Sequence, residues 1–429
     1  MSMDDDFLGS LRDVVSGQRD NAVTFLCDLV REGSLLGQEQ GAQDIMAERF
    51  SGMGLEVERF DINLDDIKGM PGFSPPVIDN YVGRENIVGV HRPSGQAAGR
   101  SLILNGHIDV VPTGDLHLWT NHPFEPTVRD GKVFGRGSAD MKAGIVSYCI
   151  AFEALQSLGL QPASNVIMQS VVEEECTGNG ALACLARGYR ADAAVIPEPF
   201  HQQLMIAQLG VMWMTVHLTG KPAHVLDTSA GINAIEAIYA VFENLREIET
   251  EWNLPENRHE LYCEHAHPVN FNLGKIRGGD WASTVPCSSS VDVRVGFYPG
   301  MSLESVRQSL EDKIEDAVRN DPRLKGAEAR IEYRGFQAEG CVMDQDAALM
   351  TSLADAHRRI TNAPIEMMAS TATTDCRFFE LYGNTPATCY GPQGSDYHGI
   401  DEWVSIDSMM EVALVLAVFM SEWCGTETR

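Results

Sequence analysis

Residues 101–112 read SLILNGHIDVVP, a short apolar run that ends in a histidine followed two residues later by an aspartate. Two further apolar runs are followed by acidic residues. The β-branched run 166–172 leads into Glu173-Glu174-Glu175, and the apolar run 193–196 leads into Glu198. These runs alternate with helical patterns, which predicts an α/β fold with a mixed, mostly parallel sheet. Open α/β sheets place their sites at the carboxyl ends of strands, so we expect these polar residues to converge.

The pattern changes near residue 204. We predict paired strands over Met205–Leu218, strands over 269–276, 291–297 and 329–333, and amphipathic helices over 231–245 and 303–318. Two helices on an antiparallel sheet predict an inserted α+β module of the ferredoxin-like type at 204–340. The α/β pattern resumes near 341, so residues 1–203 and 341–429 would form one discontinuous catalytic domain.

Composition limits the classes of partner and compartment. Lys and Arg number 32 against 61 Asp and Glu, for a net charge of −29. Such a surface repels polyphosphate, so neither nucleic acid nor an anionic membrane is an expected partner. The ten cysteines contain no C-x-x-C pair, which favours reduced thiols in a cytoplasm. We expect no signal peptide at the acidic N-terminus, and the apolar run 412–420 is too short to span a bilayer.

Imidazole and carboxylate side chains at these positions predict a metal centre. Zinc binds both ligand types, and catalytic sites leave a position open for water. The simplest allocation has Asp140 as a bridge between one ion held with His107 and Glu198 and another held with Glu175 and His398. Two such ions, roughly 3.5–4 Å apart, polarise a carbonyl and acidify water. Zn²⁺ is the expected metal, with Co²⁺ or Mn²⁺ as options.

Two further carboxylates have predicted roles. Asp109 is placed to accept the other N–H of the His107 imidazole. Glu174 has no assigned metal and is the candidate general base, which would take a proton from water and deliver it to the leaving amine.

Taken singly, each motif has an ordinary structural explanation. The three glutamates could be a solvated acidic face, and the Asp140 segment could be a turn stabilised by its aspartate. The site hypothesis rests on their joint occurrence after strands of one sheet. Two other groups are weaker candidates: Cys263, His265 and His267 for a structural zinc, and Cys176 for a nucleophile. We expect instead that Cys263, His265 and His267 lie in a polar loop and that Cys176 is a packing residue.

The segment 106–144, GHIDVVPTGDLHLWTNHPFEPTVRDGKVFGRGSADMKAG, strongly resembles the acetylornithine deacetylase / succinyl-diaminopimelate desuccinylase family. These are co-catalytic zinc amidohydrolases related to aminoacylases and carboxypeptidases. The likeness continues in order through 173–175, 197–199, 220–224 and 391–404. It implies a zinc-peptidase-like catalytic domain, the same five metal ligands and the same general base.

The resemblance also implies roles for the inserted module. It would be a lid and dimerisation domain of a homodimer, and His224 would reach the partner's active site to help hold the scissile carbonyl oxygen. Arg294 and Arg377 match positions that can hold a substrate carboxylate. Either arginine could equally serve a structural ion pair.

Departures from the family pattern concern the substrate. Ser283 or Thr284 stands where many members have an asparagine before Val-Pro, and TATTD at 371–375 replaces Gly-Gly-Thr-Ser-Asp. The Gly-Gly-x-Phe-Asp-Gly run of the related carbamoylases is missing, which argues against a ureido substrate. The metal chemistry is unaffected by these changes.

The expected function is therefore a di-zinc amidohydrolase that cleaves the N-acyl bond of an amino acid or related small carboxylate. The alternatives are a dipeptidase or carboxypeptidase, or a catabolic hydrolase acting on an aromatic amide or amine. A non-catalytic metal-binding paralogue would lack a ligand or the base, and this sequence has all of them.

Overall fold

A six-stranded mixed sheet forms the centre of the larger part of the molecule in this computed structural model, which describes residues 5–78 and 80–429. The helices before residue 204 are α1 (Asp5–Gly17), α2 (Arg19–Arg31), α3 (Gln40–Gly52), α4 (Leu64–Ile67), α5 (Ala143–Ser157) and α6 (Asn179–Ala186). The strands are β1 (Glu56–Asp61), β2 (Glu85–His91), β3 (Leu102–His107), β4 (Thr127–Arg129), β5 (Lys132–Phe134), β6 (Leu160–Pro162), β7 (Val166–Val171) and β8 (Ala194–Ile196).

The inserted segment has its own sheet and hydrophobic core. The strand β9 (Leu204–Gln208) leads into it, and its elements are β10 (Gly210–Thr219), α7 (Ala234–Trp252), β11 (Phe271–Gly278), β12 (Ser288–Phe297), α8 (Leu303–Asn320), β13 (Glu328–Glu332) and β14 (Gln337–Ala338). An antiparallel sheet runs in the order β11-β12-β10-β13. The apolar faces of α7 and α8 share one core with the sheet, as the two amphipathic patterns predict. We call this segment the lid as a label for its place in the chain, and its role as a lid stays a prediction.

The chain then returns to the larger part. Its last elements are β15 (Cys341–Val342), α9 (Ala348–Thr361), β16 (Met367–Ser370), β17 (Ala387–Cys389), β18 (Gly394–Ser395), β19 (Trp403–Ser405), α10 (Ile406–Trp423) and β20 (Thr426–Thr428). The central sheet has the order β1-β2-β7-β3-β8-β17. Pairing is antiparallel through β1, β2 and β7 and parallel from β7 to β17, which confirms the predicted mixed α/β architecture.

The helices α5 and α10 pack against each other in the core of the larger part. The apolar residues of α10 cover nearly its whole circumference, so this helix is buried on all sides instead of lying on the surface. Among the described residues, no helix combines the length and apolarity that a membrane crossing needs.

One expectation about Met205–Leu218 was wrong. These residues do form two strands, but β9 and β10 do not pair with each other. The strand β9 pairs with β15 and β16 in a separate three-stranded sheet, whereas β10 lies in the lid. The chain therefore leaves and re-enters the larger part on the neighbouring strands β9 and β15, and the 204–340 boundary stays a prediction.

Candidate active site

Three polar segments meet at one edge of the central sheet. His107 is the last residue of β3, the three glutamates follow β7, and Glu198 follows β8. The strand β3 is parallel to both neighbours, β7 and β8, so the carboxyl ends of all three strands point the same way. The expected convergence at strand ends is what the structure shows.

Asp140 lies between two histidines. Its Oδ1 is 3.2 Å from Nε2 of His107, and its Oδ2 is 3.3 Å from Nε2 of His398. Each histidine has a glutamate of its own: Glu198 Oε1 is 3.7 Å from His107 Nε2, and Glu175 Oε2 is 3.1 Å from His398 Nε2. We call His107, Asp140 and Glu198 the His107 group, and His398, Asp140 and Glu175 the His398 group.

Asp109 acts on this cluster differently from what its spacing suggests. The Nδ1–H of His107 donates to the backbone carbonyl of Asp109 at 2.9 Å, while the Asp109 carboxylate is 3.7 Å away. That carboxylate instead accepts from the backbone N–H groups of Glu174 (3.3 Å) and Glu175 (3.2 Å). The main chain of Asp109 thus fixes the imidazole, and its side chain fixes the turn that carries the glutamates.

Glu174 is buried beside the His107 group. Its Oε2 is 3.9 Å from His107 Nε2, and its Oε1 is buried and has no hydrogen-bond partner among residues 5–78 and 80–429. Ligand atoms of His107, Glu174 and Glu198 lie within 4.8 Å of one another. Glu174 therefore reaches the same space as the ligand candidates while keeping one oxygen free.

The charges of the cluster suit divalent cations. Burial raises the pKa of Glu174 and of Glu198 well above the usual range, and neighbouring carboxylates add to it. Burial also opposes ionisation of Asp140, but hydrogen bonds from both histidines outweigh it and lower the pKa of this carboxyl. Glu175 is the main cause that raises the pKa of His398 to about 11. Cations would supply the positive charge that these carboxylates need.

Comparison with known proteins identifies the family. The sequence profile of peptidase family M20/M25/M40 matches residues 103–422. The chain belongs to this family. This confirms the expected amidohydrolase, an enzyme that hydrolyses amide bonds.

Curated relatives of this M20 hydrolase match it over most of both chains. It is 27% identical over 368 residues to N-formyl-4-amino-5-aminomethyl-2-methylpyrimidine deformylase of Halalkalibacterium halodurans. The aligned region covers 81% of this chain and 84% of the relative. It is 26% identical over 388 residues to succinyl-diaminopimelate desuccinylase of Polynucleobacter necessarius, covering 88% and 92%.

Solved structures share the whole fold. The di-peptidase Dug1p of Saccharomyces cerevisiae superposes with a TM-score of 0.80 at 15% identity, covering 97% of this chain and 98% of the other. Human carnosine dipeptidase 1 gives 0.78 at 14% identity, covering 97% and 98%. At this identity, the likeness shows the fold alone.

The lid residues of this M20 hydrolase are not part of the cluster within one chain. His224 is exposed, pairs through its backbone with Thr284, and uses its Nδ1 to accept from the N–H of Leu226. Ser283 is exposed as well. Arg294 is partly buried on β12, and its Nη2 donates to the carbonyl of Thr371 at 3.2 Å, which links the lid to the larger part.

Arg377 does not fit its predicted role. Its side chain is fully buried, and its two amino groups donate to the carbonyls of Thr374 and Thr177, both at 2.9 Å. These bonds tie the 371–377 segment to the turn after the glutamates. The geometry favours a structural role for Arg377 over contact with a substrate carboxylate.

The two weaker candidates form no site. His267 Nε2 lies 3.0 Å from Glu249, and Cys263 Sγ lies 3.8 Å from the carbonyl of His259. Within residues 5–78 and 80–429, no cluster of three metal-binding side chains includes Cys263, His265 or His267. Cys176 is buried, and burial raises its thiol pKa well above the usual value, as a packing residue would show.

Sequence reasoning missed a buried charge network behind the glutamates. Arg84 Nη1 contacts Glu173 Oε1 at 2.6 Å, and Arg84 Nη2 contacts Glu39 Oε1 at 2.5 Å. Glu173 has a φ of +69°, a left-handed conformation that is unfavourable for a residue with a Cβ. The network holds Glu173 there and so sets the direction of Glu174 and Glu175. No motif surrounds Arg84 or Glu39 in the sequence.

Proposed function

We propose that this M20 hydrolase is a di-zinc deacylase that cleaves the N-acyl amide bond of an N-acyl amino acid or a related small carboxylate. The main support is the arrangement around Asp140, whose two oxygens face two histidines that each have a separate glutamate. A single carboxylate shared by two such groups suits a pair of cations better than one.

The His107 group and the His398 group would each hold one ion. Their nitrogen and carboxylate donors suit Zn²⁺, with Co²⁺ or Mn²⁺ as alternatives. When bound, two such ions would polarise the scissile carbonyl and lower the pKa of water at the site.

Glu174 would be the general base. Its Oε2 lies 3.9 Å from His107 Nε2, and its buried Oε1 has no hydrogen-bond partner among the described residues, so one oxygen is free to accept a proton. The carboxyl can then deliver that proton to the leaving amine. The Asp109 carboxylate accepts hydrogen bonds from the backbone N–H groups of Glu174 and Glu175. Asp109 would thereby keep the general base in position.

Arg294 would bind the substrate's carboxylate. Burial lowers the pKa of its guanidinium, and no carboxylate in the described part of the chain pairs with it. A partly buried cation whose partner is a carbonyl group is stabilised by an anionic ligand. The link from Arg294 to Thr371 also places the guanidinium beside the larger part, where an acyl amino acid could reach it.

A homodimer would supply His224 from the second subunit. On its own chain this histidine is exposed, and the neighbouring Leu226 and Trp281 are 90% and 72% exposed, which suits a surface covered by another copy. Ser283 would line the substrate site from the same region. All ten cysteines are free, which supports a reducing cytoplasm as the location.

A substrate panel with paired compounds tests this function. The Zn²⁺-loaded enzyme would be assayed on N-formyl, N-acetyl and N-succinyl amino acids and on dipeptides, each beside its C-terminal carboxamide. We expect hydrolysis of at least one acyl amino acid and a large loss of kcat/KM for its carboxamide twin, because the carboxylate is missing. Preference for dipeptides, or equal rates on carboxamides or aryl amides, would contradict the proposed substrate class and favour the alternatives named above.

A further inference from the structure

A buried ion pair lies directly behind the acidic cluster and takes no part in the chemistry above. Arg136 Nη1 contacts Glu402 Oε2 at 2.6 Å, and both side chains are almost completely shielded from solvent. Neither residue belongs to the ligand candidates. We call this pair the Arg136–Glu402 clamp.

The Glu402 carboxylate holds the turn that carries Asp140. Its Oε2 accepts from the N–H of Gly137 at 3.0 Å, and its Oε1 accepts from the N–H groups of Ala139 (3.0 Å) and Asp140 (3.1 Å). N–H groups that converge in this way form a concavity for an anion, and here a side chain of the same protein fills it. The backbone at Asp140 is fixed, and with it the direction of the aspartate side chain.

The arginine holds the loop that carries His398. Its second amino group, Nη2, donates to the carbonyl of Gly399 at 2.9 Å. The preceding residue, His398, has a φ of +57°, which a side chain disfavours unless neighbouring contacts hold it. A single guanidinium therefore connects the Asp140 turn, through Glu402, to the His398 loop.

The clamp acts unequally on the two groups. Two members of the His398 group, Asp140 and His398, are attached to it, whereas only Asp140 of the His107 group is. The ring of His107 is held separately by the Asp109 carbonyl, and Glu198 lies two residues after strand β8. Within the described part of the chain, the polar contacts of the His398 ring are those with Asp140 and Glu175, and its side chain is 55% exposed.

We propose that Arg136 and Glu402 are positioning residues that set the affinity of the cation site formed by the His398 group, and affect the His107 group much less. This inference rests on the proposed two-cation function. It assigns a purpose to a pair of residues that belong to neither the His107 group nor the His398 group.

The first test is the Glu402→Gln variant, with Zn²⁺ binding as the readout. A glutamine keeps the shape, but its amide group offers one acceptor where the carboxylate offers two, so part of the Asp140 turn loses its support. Zn²⁺ per chain and both dissociation constants would be measured by competition with a chromophoric chelator. Loss of such an outer contact weakens a metal site by about 10–100-fold. We expect this loss for the ion held by the His398 group and not for the ion held by the His107 group.

Arg136→Lys tests the other arm and also decides the case if Glu402→Gln does not fold. A lysine keeps the charge but has no planar fork, so it contacts Glu402 or Gly399 but not both. We expect the same selective weakening of one Zn²⁺ site. Equal weakening of both sites in either variant would overturn the selectivity.

A matched control separates positioning from general stability. Glu153→Gln removes the same charge from the partly buried Arg49–Glu153 pair, which has no hydrogen bond to a ligand segment within the described residues. It should lower the thermal midpoint without changing either Zn²⁺ constant. If Glu402→Gln behaves like Glu153→Gln, with unchanged Zn²⁺ constants, the clamp is only a structural ion pair and the inference is wrong.

A double variant assigns the affected site. In a His398→Ala background, the His398 group is already broken, so adding Glu402→Gln should leave the affinity of the remaining ion nearly unchanged. A further large loss there would show that the clamp serves the His107 group instead. Wild-type protein that binds fewer than two Zn²⁺ per chain would contradict the proposed function, whereas two ions with clamp-independent constants would contradict only this inference.

Discussion

The sheet edge and the lid provide their candidate residues in different ways. At the sheet edge, His107, Asp140 and Glu198 are buried or nearly so and already face one another within one chain. On the lid, His224 and Ser283 lie on exposed surface, away from that cluster. Parallel strands bring their ends together as soon as the sheet forms, whereas a separate module needs domain closure or a second subunit to reach the same place.

The largest expected effect is at the sheet edge, where two variants distinguish a metal ligand from the general base. Asp140→Asn and Glu174→Gln each replace a buried carboxylate by an amide of the same shape. We expect Asp140→Asn to lose Zn²⁺ and activity together. Glu174→Gln should keep two Zn²⁺ and its fold but lose about 10²–10⁴-fold in kcat, the usual contribution of general acid–base catalysis. Metal analysis and kinetics on the same preparations check both, and metal loss from Glu174→Gln would make Glu174 a ligand instead.

The next effect tests whether the lid acts on its own site or on the partner's. His224→Ala should lose about 10²–10³-fold in kcat, as when one oxyanion donor is removed. A re-associated mixture of His224→Ala and Glu174→Gln should regain up to about a quarter of the wild-type rate, because half of the random dimers carry one complete site.

That recovery requires that His224 of one subunit reaches the active site of the other subunit. If His224 served its own chain, neither site of the mixed dimer would be complete and the mixture would stay as inactive as its components. An affinity tag on one variant only, followed by pull-down of the mixture, measures the fraction of mixed dimers and so the efficiency of subunit exchange.

A smaller effect concerns Arg294, the lid residue that already contacts the larger part. Arg294→Met should raise KM by about 10–100-fold with a smaller change in kcat, since a charged hydrogen bond to the substrate is lost. The variant should discriminate little between a substrate and its carboxamide twin. Arg330→Met, which removes an exposed lid arginine, serves as the control. Unchanged discrimination in Arg294→Met would place carboxylate recognition elsewhere.

The sequence was informative where one local pattern carried both the strand and the polar residue after it. His107 and Glu198 are such cases, because each ligand candidate follows its apolar run within three residues. The Arg84–Glu39 and Arg136–Glu402 contacts were invisible, since the partners are 45 and 266 residues apart and no pattern marks them. Asp109 shows a subtler limit, because its spacing predicted the contact with His107 but not that the main chain would make it.

The strands β9 and β10 show why topology was harder to predict than element type. Both are apolar, and Leu209 alone separates them, so their sequences predict strands equally well. Nothing in the local pattern tells which sheet each strand joins. That choice depends on β15 and β16, which lie more than a hundred residues downstream.

The smallest predicted effect compares the acidic cluster with a buried carboxyl that has no expected cation. Burial is the main cause that raises the pKa of Glu380 to about 7, and its Oε1 accepts from the N–H of Ala387 at 2.6 Å. Because the folded-state pKa lies above the unfolded value, the folded state binds this proton more tightly. The stabilisation that the bound proton provides is complete below about pH 4.5 and is lost as the pH rises through about 7. Above that pH, Glu380 no longer makes the free energy of unfolding depend on pH.

Glu380→Gln keeps the acceptor and cannot ionise, so it should remove this part of the pH dependence. Relative to its value at pH 5, the free energy of unfolding at pH 8 should fall by about 1–3 kcal/mol less in the variant than in wild type. Urea titrations of both proteins at the two pH values measure the difference, and the cluster titrates equally in both. Parallel pH dependences would mean that the Glu380 carboxyl gains enough hydration or counter-charge to ionise normally. Burial alone would then not explain why the acidic cluster needs cations.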